Sequence, residues 1–344
     1  MAIIHQYDDC TLLFHYEKPN CNPLISVCLS TYNFSETVLY ALEALVNQDF
    51  DSYEIIIQDD CSTDNTCQVV MDFLQSLSST TAQRISLYRS CSNCGILINR
   101  LRGFYHAKAE WFVMTDGDDI SLKGRLTLLN ELLNSLNHKP MLIATNRYEF
   151  LDGTPYYEID KCSVRATNLK EGWVHLKDIV WQNDIPNGSS GFVVNRKLFE
   201  AFFACIPDER IIADDPVLAR RALLIGDIYV TETPMYYCRQ CIRSASGGGV
   251  SGKKWILDRF NRWNLLIKDI KHISPTKTIP PKTLRDIEYW KKRMALDARL
   301  IDCSNWVWPF LWIRMILISP SEALWALKKR IKLILLGDVN SSLR

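Results

Sequence analysis

The sequence predicts an α/β chain: a doubly wound, mainly parallel sheet within residues 23–250, preceded by a lead segment of residues 1–22 and followed by a helical extension over residues 251–344. Three observations lead there. Short β-favouring runs alternate with stretches of helical periodicity from residue 24 to about residue 136. Two of those runs end in carboxylates, at Asp59-Asp60 and at Asp116-Gly117-Asp118-Asp119, and the carboxyl ends of strands are where open α/β sheets hold ligands. Beyond Gly252 the composition turns to Lys, Arg, Trp and aliphatic residues, as expected of helices.

Taken in order, Leu24 to Ser30 is a compact β-prone run, with Thr31-Tyr32-Asn33 as the loop after it. Ser35 is placed to cap a helix from Glu36 to Asn47, in which Val38, Leu39, Leu42, Leu45 and Val46 recur at helical spacing. Tyr53 to Gln58 is the next strand and Val69 to Leu77 the next helix, followed by a strand over Arg84–Tyr88. Asn93-Cys94-Gly95 turns the chain into a helix over Ile96–Ala107, and Trp111 leads the strand tipped by Asp116. Met141–Thr145 is one more strand. From Tyr148 to Trp181 the pattern becomes polar, aromatic and irregular, the kind of segment that often forms an acceptor pocket. Asn187 to Val194 reads as a turn entering a strand, with a helix over Arg196–Phe203 behind it.

With 344 residues, 47% apolar and 23% charged, the chain can bury a substantial core. A formal net charge of +1 gives no reason to expect nucleic acid as a partner. His5, Asp8, Asp9 and Glu17 interrupt the region where a secretion signal needs an apolar core, so the chain is expected in the cytoplasm. Twelve cysteines are too sparse for a disulfide scaffold. Cys91-x-x-Cys94 and Cys238-x-x-Cys241 lie too far apart in sequence for a zinc ribbon, which favours free thiols.

Asp116, Asp118 and Asp119 repel one another unless a cation sits among them, and hard divalent ions such as Mg2+ or Mn2+ take oxygen ligands, often shared with substrate phosphates. A loop with an ordinary helix N-cap is the bland alternative. Phosphatases with an aspartyl nucleophile also place Asp-x-Asp after a strand. There it sits on the first strand, followed by Thr or Val; here it comes late, followed by Asp119 and Ile120.

Four blocks together carry a resemblance: Thr31-Tyr32-Asn33; Glu54 leading to Asp59-Asp60-x-Ser62-x-Asp64; Asn93-x-Gly95 with Arg100 and Gly103; and Asp116-Gly117-Asp118-Asp119. In order and spacing they resemble family 2 glycosyltransferases of the GT-A fold, most closely bacterial enzymes that build surface polysaccharide, over about residues 23–248. The resemblance implies an inverting transferase using a nucleotide diphosphate sugar, such as a UDP- or dTDP-sugar, and Mg2+ or Mn2+. It implies that Thr31 and Asp60 contact the nucleoside with Asp59 supporting the loop, that Tyr32, Asn33, Asn93, Gly95, Asp116 and Gly117 line the donor site, and that Asp118 is the principal metal ligand, helped by Asp116. Arg100 falls at the family's Arg-Asn pair near the donor, with Leu101 in place of the Asn.

Inversion at an anomeric carbon needs a general base for the acceptor hydroxyl. In Asp214-Asp215-Pro216, Pro216 suits a first helical turn, and a helix N-terminus orients an acid. The family writes this place Glu-Asp with the second residue as base, which points to Asp215, with Asp214 second. An ordinary Asp N-cap is the alternative. Tyr237-Cys238-Arg239-Gln240-Cys241 resembles a Tyr-Arg-Gln-His loop that closes over the diphosphate; Cys241 stands at the histidine, and Arg239 or Arg243 is the expected phosphate contact.

Trp306–Ile318 is apolar but too short to span a bilayer. The basic, tryptophan-bearing pattern of Ala323–Leu336 suits the surface of an anionic membrane, or equally a helix packed on the core or in a dimer. A glycan acceptor carried on a polyprenyl diphosphate would fit peripheral contact at the cytoplasmic face of the inner membrane. Two other functions stay open. A nucleotidyltransferase would need a glycine-rich loop after its first strand, where Ser30–Ser35 has no glycine; a non-catalytic membrane-associated scaffold would tolerate Cys241.

Overall fold

The computed structural model describes residues 7–16, 22–77, 84–166, 170–176, 188–240, 252–276 and 278–302. Its strands are β1 (Cys10–Tyr16), β2 (Ile25–Thr31), β3 (Tyr53–Asp59), β4 (Arg84–Ser90), β5 (Trp111–Asp116), β6 (Ile120–Ser121), β7 (Leu142–Leu151), β8 (Val164–Arg165), β9 (Gly172–Val174), β10 (Phe192–Asn195) and β11 (Ile228–Gln240). The helices are α1 (Val38–Val46), α2 (Thr66–Ser76), α3 (Ile96–His106), α4 (Arg125–Ser135), α5 (Ile159–Cys162), α6 (Arg196–Ala201), α7 (Asp215–Ile225), α8 (Gly252–Ile273) and α9 (Pro281–Asp302).

One sheet runs β1-β4-β3-β2-β5-β10-β7-β11-β6, with β8 on β7 and β9 on β11. Strands β4, β3, β2 and β5 are parallel, with helices between them in sequence, the doubly wound half that the alternation predicts. β2 and β3 are buried along their whole length, as parallel strands covered on both faces must be. Beyond β5 the pairing is mixed: β10 runs against both β5 and β7, while β7 and β11 are parallel. A core cluster packs Val38, Leu42 and Leu45 of α1, Val70 and Leu74 of α2, and Leu126 and Leu129 of α4 on one side of this sheet.

Three local expectations are corrected. The lead segment holds an edge strand, β1, antiparallel to β4 from Cys10–Ser90 to Tyr16–Ile85. Helix α1 starts at Val38 rather than Glu36, and Ser35 does not cap it; the Ser35 N–H instead donates to Asp64 Oδ2 at 3.1 Å. Tyr237–Gln240, expected as a closing loop, is the end of β11, because its backbone pairs with Tyr148–Leu151 of β7.

The chain divides into two compact units: residues 1–250 with 265–279, and residues 251–264 with 280–344. The boundary expected at residue 251 thus leaves out a segment that belongs with the sheet. Arg221 of α7 grips Asp269 through two contacts of 2.9 and 3.0 Å, both side chains buried, and Leu265, Leu266 and Ile270 are buried beside them in sequence. In the second unit Arg262 pairs with Asp258 one turn earlier, at 2.8 Å. Among the described residues no helix is long and apolar enough to cross a membrane. Cys241, Arg243, Asn187, the glycines of 247–249 and the stretches 306–318 and 323–336 lie outside the described residues.

Candidate active site

The ends of β2 and β3 build the first wall. Asp59, fully buried, accepts hydrogen bonds from the Ser62 N–H (2.9 Å) and hydroxyl and pairs with Arg89 at 3.7 Å, so it fixes the turn after β3. Asp60 follows, also buried. Its Oδ1 accepts the Cys94 N–H and its Oδ2 the Gly95 N–H, each at 2.8 Å, and its carbonyl accepts the Asn93 amide at 3.1 Å. Gly95 is required there: its φ is +88°, and a Cβ would lie 3.0 Å from the Arg210 side chain. Asn33, at φ +57°, donates its N–H to Ser62 Oγ and accepts the Thr63 N–H, so loops 31–33 and 60–64 are laced together. Thr31 Oγ1 is buried without a hydrogen-bond partner beside Gly117, while Tyr32 is exposed. An orphaned buried hydroxyl is uncommon and marks a place where a ligand can complete the bonding.

The second wall is the carboxylate loop after β5. Gly117 donates its N–H to the Ser30 carbonyl at 3.0 Å, which brings this loop against the end of β2. A Cβ on Gly117 would stand 2.7 Å from Phe34 Cδ2. Asp116 accepts the hydroxyls of Ser189 (3.2 Å) and Ser190 (2.9 Å) on one oxygen and the Arg100 guanidinium (2.6 Å) on the other.

Arg100 is the centre of the site. Its guanidinium is fully buried and reaches Asp116, Asp214 and, at 3.4 Å, Ser30 Oγ. Burial alone would lower its pKa, but the two carboxylates more than offset that and hold it above the ordinary arginine value. Burial also pushes the Asp214 carboxyl up, while Arg100 opposes the rise. Arg100 therefore faces protein groups, neither exposed on its helix nor open to a donor as the sequence comparison suggested.

Asp118 and Asp119 carry the remaining negative charge. Burial, then Asp119 and Asp116, push the Asp118 carboxyl well above its usual range. Asp119 is pushed up to about 6, chiefly by burial and next by Asp116, although its Oδ1 accepts the Arg239 N–H at 3.0 Å. Crowded, hard oxygen donors of this kind fit Mg2+ or Mn2+. Among the described residues no group of three potential ligands is already arranged as a cage, and Asp116 is partly engaged by Arg100, which leaves Asp118 the better placed donor.

The third wall is the start of α7. Asp214 is the N-cap residue, its carbonyl receiving the Val217 and Leu218 N–H groups at 2.9 and 3.0 Å, and Pro216 occupies the first turn. The half-buried Asp215 accepts the Gly188 N–H at 3.3 Å, one residue before the serine that holds Asp116. Asp214 and Asp215 thus face different jobs. The first is sealed against Arg100; the second sits on the turn that approaches the carboxylate loop.

The family model for "Glycosyl transferase family 2" matches residues 26–203, which is more than half of the chain and contains every one of these loops except the start of α7. The chain belongs to glycosyl transferase family 2. Among solved structures, residues 1–349 of TarS from S. aureus, crystallised in complex with UDP-GlcNAc, match over 87% of this chain and 82% of that one with a TM-score of 0.60 and 18% identity, which gives this family 2 chain the GT-A fold. Curated relatives include the glycosyltransferase-named EpsE of Bacillus subtilis (29% identical over 150 residues, 44% of this chain and 49% of EpsE). WcaA of Escherichia coli, named for colanic acid biosynthesis, is 29% identical over 122 residues, 36% of this chain and 40% of WcaA. TuaG of Bacillus subtilis, named for teichuronic acid biosynthesis, is 28% identical over 138 residues, 40% of this chain and 52% of TuaG. The chain spans about half or less of the length of these relatives.

Within this family 2 chain, Arg239 does not lie open over a diphosphate site. Its guanidinium stacks 4.8 Å over Phe150, pairs with Asp152 at 3.2 Å and donates to the Asp118 carbonyl at 3.3 Å. Cys91, Cys94 and Cys238 are free thiols, and burial followed by the Asp60 hydrogen bond pushes Cys94 up to about 12.

Sequence reasoning missed Arg125. Fully buried in α4, it donates to Thr115 Oγ1 (3.0 Å), Ser121 Oγ (2.9 Å), the Met114 carbonyl (3.1 Å) and the Ser190 carbonyl, joining β5, β6 and the serine turn behind the carboxylate loop. Burial lowers it to about 10. The only sequence signal was an arginine on the apolar face of an amphipathic helix, beside Leu126 and Leu129.

Proposed function

We propose that the chain is an inverting, divalent-cation-dependent glycosyltransferase. It moves one sugar from a nucleotide diphosphate sugar, a UDP- or dTDP-sugar, to a hydroxyl of a glycan in bacterial surface polysaccharide synthesis. The acceptor is a polyprenyl-diphosphate-linked glycan, so the enzyme works at the cytoplasmic face of the inner membrane, in peripheral contact with it.

The observation that carries this reading is the Arg100 bridge. One buried guanidinium binds Asp116 on the carboxylate loop and Asp214 at the head of α7, so the proposed donor end and the proposed base end of the reaction are held by a single group. Asp60 and Thr31 receive the nucleoside: the Thr31 hydroxyl has an open bond, and Asp60 Oδ2 keeps a lone pair beyond the Gly95 N–H it accepts, while Oδ1 is taken by the Cys94 N–H and thiol. Asp118, with Asp116, would hold Mg2+ or Mn2+, which supplies charge neutralisation for the departing diphosphate. Asp215 takes the proton from the acceptor hydroxyl as its oxygen attacks the anomeric carbon opposite the diphosphate, which inverts that centre. Asp214 and Arg100 position; they do not transfer a proton.

The test is Asp215→Asn. Donor binding, read by thermal shift with UDP-sugars and Mn2+, is expected to persist while turnover falls about 10^2–10^4-fold, the usual contribution of a general base. Turnover equal to that of the parent protein removes Asp215 from the role.

A further inference from the structure

A cleft of about 840 Å3 lies between α1, the end of α2, β6 and the segment after β7. That volume is in the range of small-molecule sites. Its polar lining includes Glu43, Asn47, Lys123 and Asp160, and its aromatic lining Tyr156 and Tyr237. The rings are set in two stacks: Tyr40 on Tyr156, centroids 4.8 Å apart and 17° from parallel, and Tyr148 on Tyr237, 5.6 Å apart. Tyr237 donates its hydroxyl to Asp160, which orients ring and carboxylate together. Tyr156 is 45% exposed and Tyr157 beside it 77% exposed, so broad aromatic surface is left in water where the sequence could have placed polar residues.

The position of the cleft is informative. Strand neighbours point to opposite faces. Tyr236 and Arg147 reach the Gly188 turn that touches Asp215, whereas Tyr237, with Tyr148 stacked on it, turns the other way and lines the cleft. Two residues beyond Tyr237, the Arg239 N–H holds Asp119, and Ile120 and Ser121, next after Asp119, form part of the cleft wall. The cleft therefore shares a wall with the carboxylate loop while opening on the other face of the β7–β11 pair from Asp215. The chemistry of the lining selects its ligand. Two carboxylates against a single lysine disfavour an anion, and the polar rim disfavours a purely apolar guest. Flat aromatic faces beside hydrogen-bond acceptors suit a ring with apolar C–H faces and a hydroxyl rim.

We propose that this cleft is a saccharide-binding subsite that grips a sugar unit of the glycan acceptor remote from the reacting hydroxyl; the proposal rests on the glycosyltransferase reading for the identity of that glycan. The full chain is titrated with cellotetraose, maltotetraose and chitotetraose and read by saturation-transfer NMR, alongside Tyr156→Ala and Asp160→Asn with thermal unfolding as the check on folding. At least one tetrasaccharide is expected to bind, and to bind about tenfold more weakly to each variant, a loss of ~1.4 kcal/mol. No binding of any of the three, or equal binding by parent and variants, overturns the proposal. Release of UDP or dTDP from UDP- and dTDP-sugars by the parent protein with Mn2+ separates the two readings. Nucleotide release without Tyr156-dependent tetrasaccharide binding ends the subsite alone; such binding without nucleotide release from any UDP- or dTDP-sugar ends the transferase reading and leaves a glycan-binding site.

Discussion

Replacing Arg100 by methionine tests the centre of the site, because methionine fills similar space without charge. Removing one partner of a buried ion pair costs about 3–5 kcal/mol, since the other charge is left without solvent or partner. Here the two carboxylates differ. The Asp214 side chain is 4% exposed, with Arg100 as the group opposing its burial; the Asp116 side chain is 20% exposed and keeps two serine hydroxyls. Nearly all of the cost therefore falls on Asp214, and a loss of about 3–5 kcal/mol is expected, not twice that. At roughly 2–4 °C per kcal/mol for domains of this size, Tm drops by roughly 6–20 °C.

The sign of the pH dependence follows. With Arg100 gone, burial drives the Asp214 carboxyl up unopposed. A carboxyl whose folded pKa exceeds its unfolded value, about 3.9, destabilises above that value and not below it. The deficit of Arg100→Met relative to the parent should thus grow as pH rises from about 4 and shrink on acidification. Urea unfolding of the parent, Arg100→Met, Asp214→Asn and the double variant supplies the cycle: the double variant should be more stable than the sum of the singles predicts by about 1–3 kcal/mol. Additive costs, or a deficit that does not change with pH, would show that the guanidinium and the carboxylate do not stabilise one another.

The other expectations are narrower. Asp118→Asn removes one of three crowded carboxylates, so Mn2+ binding by calorimetry should fall at least about tenfold while the metal-free protein unfolds no earlier than the parent; unchanged Mn2+ affinity would place the ion elsewhere. Gly117→Ala sets a methyl 2.7 Å from Phe34 Cδ2, and forcing that ring aside should cost about 1–3 kcal/mol by denaturant midpoint. Arg221→Met breaks the buried bidentate pair with Asp269 and should cost about 3–5 kcal/mol, with faster proteolysis of residues 265–279 as the local signature.

The sheet was legible where its determinants are local. β2, β3 and β5 are short apolar runs, the last two ending in carboxylates, and parallel strands buried on both faces leave that pattern in sequence. β11 was not legible. Pro234 interrupts it, and its register on β7 shifts on both sides of that proline, so of its thirteen residues only the last four, from Tyr237, were noticed, and as a loop. The edge strand β1 was hidden by its setting: Leu12 is 49% exposed, so no burial pattern marks it. Among site residues, Asp116, Asp118 and Asp215 announced themselves by chemistry and spacing. Arg100 was singled out only as a contact near the donor and Arg125 was missed, because what makes each one matter is a partner supplied by the fold: Asp214 for the first, the Ser190 carbonyl for the second. Helical spacing says which face an arginine takes, not what waits there.

Those two arginines also explain why charge is left where the chemistry needs it. Arg100 compensates Asp116 and Asp214, and it sits between them, so neither can turn toward solvent without giving up that pair. Arg125 is buried just behind the same loop but spends its hydrogen bonds on neutral oxygens of Thr115, Ser121, Met114 and Ser190, so it fixes the backbone without a hydrogen bond to an aspartate, its charge reaching Asp119 only through space. Had Arg125 paired with Asp119, the loop would have been satisfied by protein alone. Instead Asp118 and Asp119 keep raised pKa values and an unmet demand for positive charge at the mouth of the site. On the proposed reading, the division of labour between one arginine that neutralises and one that mainly braces would reserve this place for a cation arriving with its diphosphate.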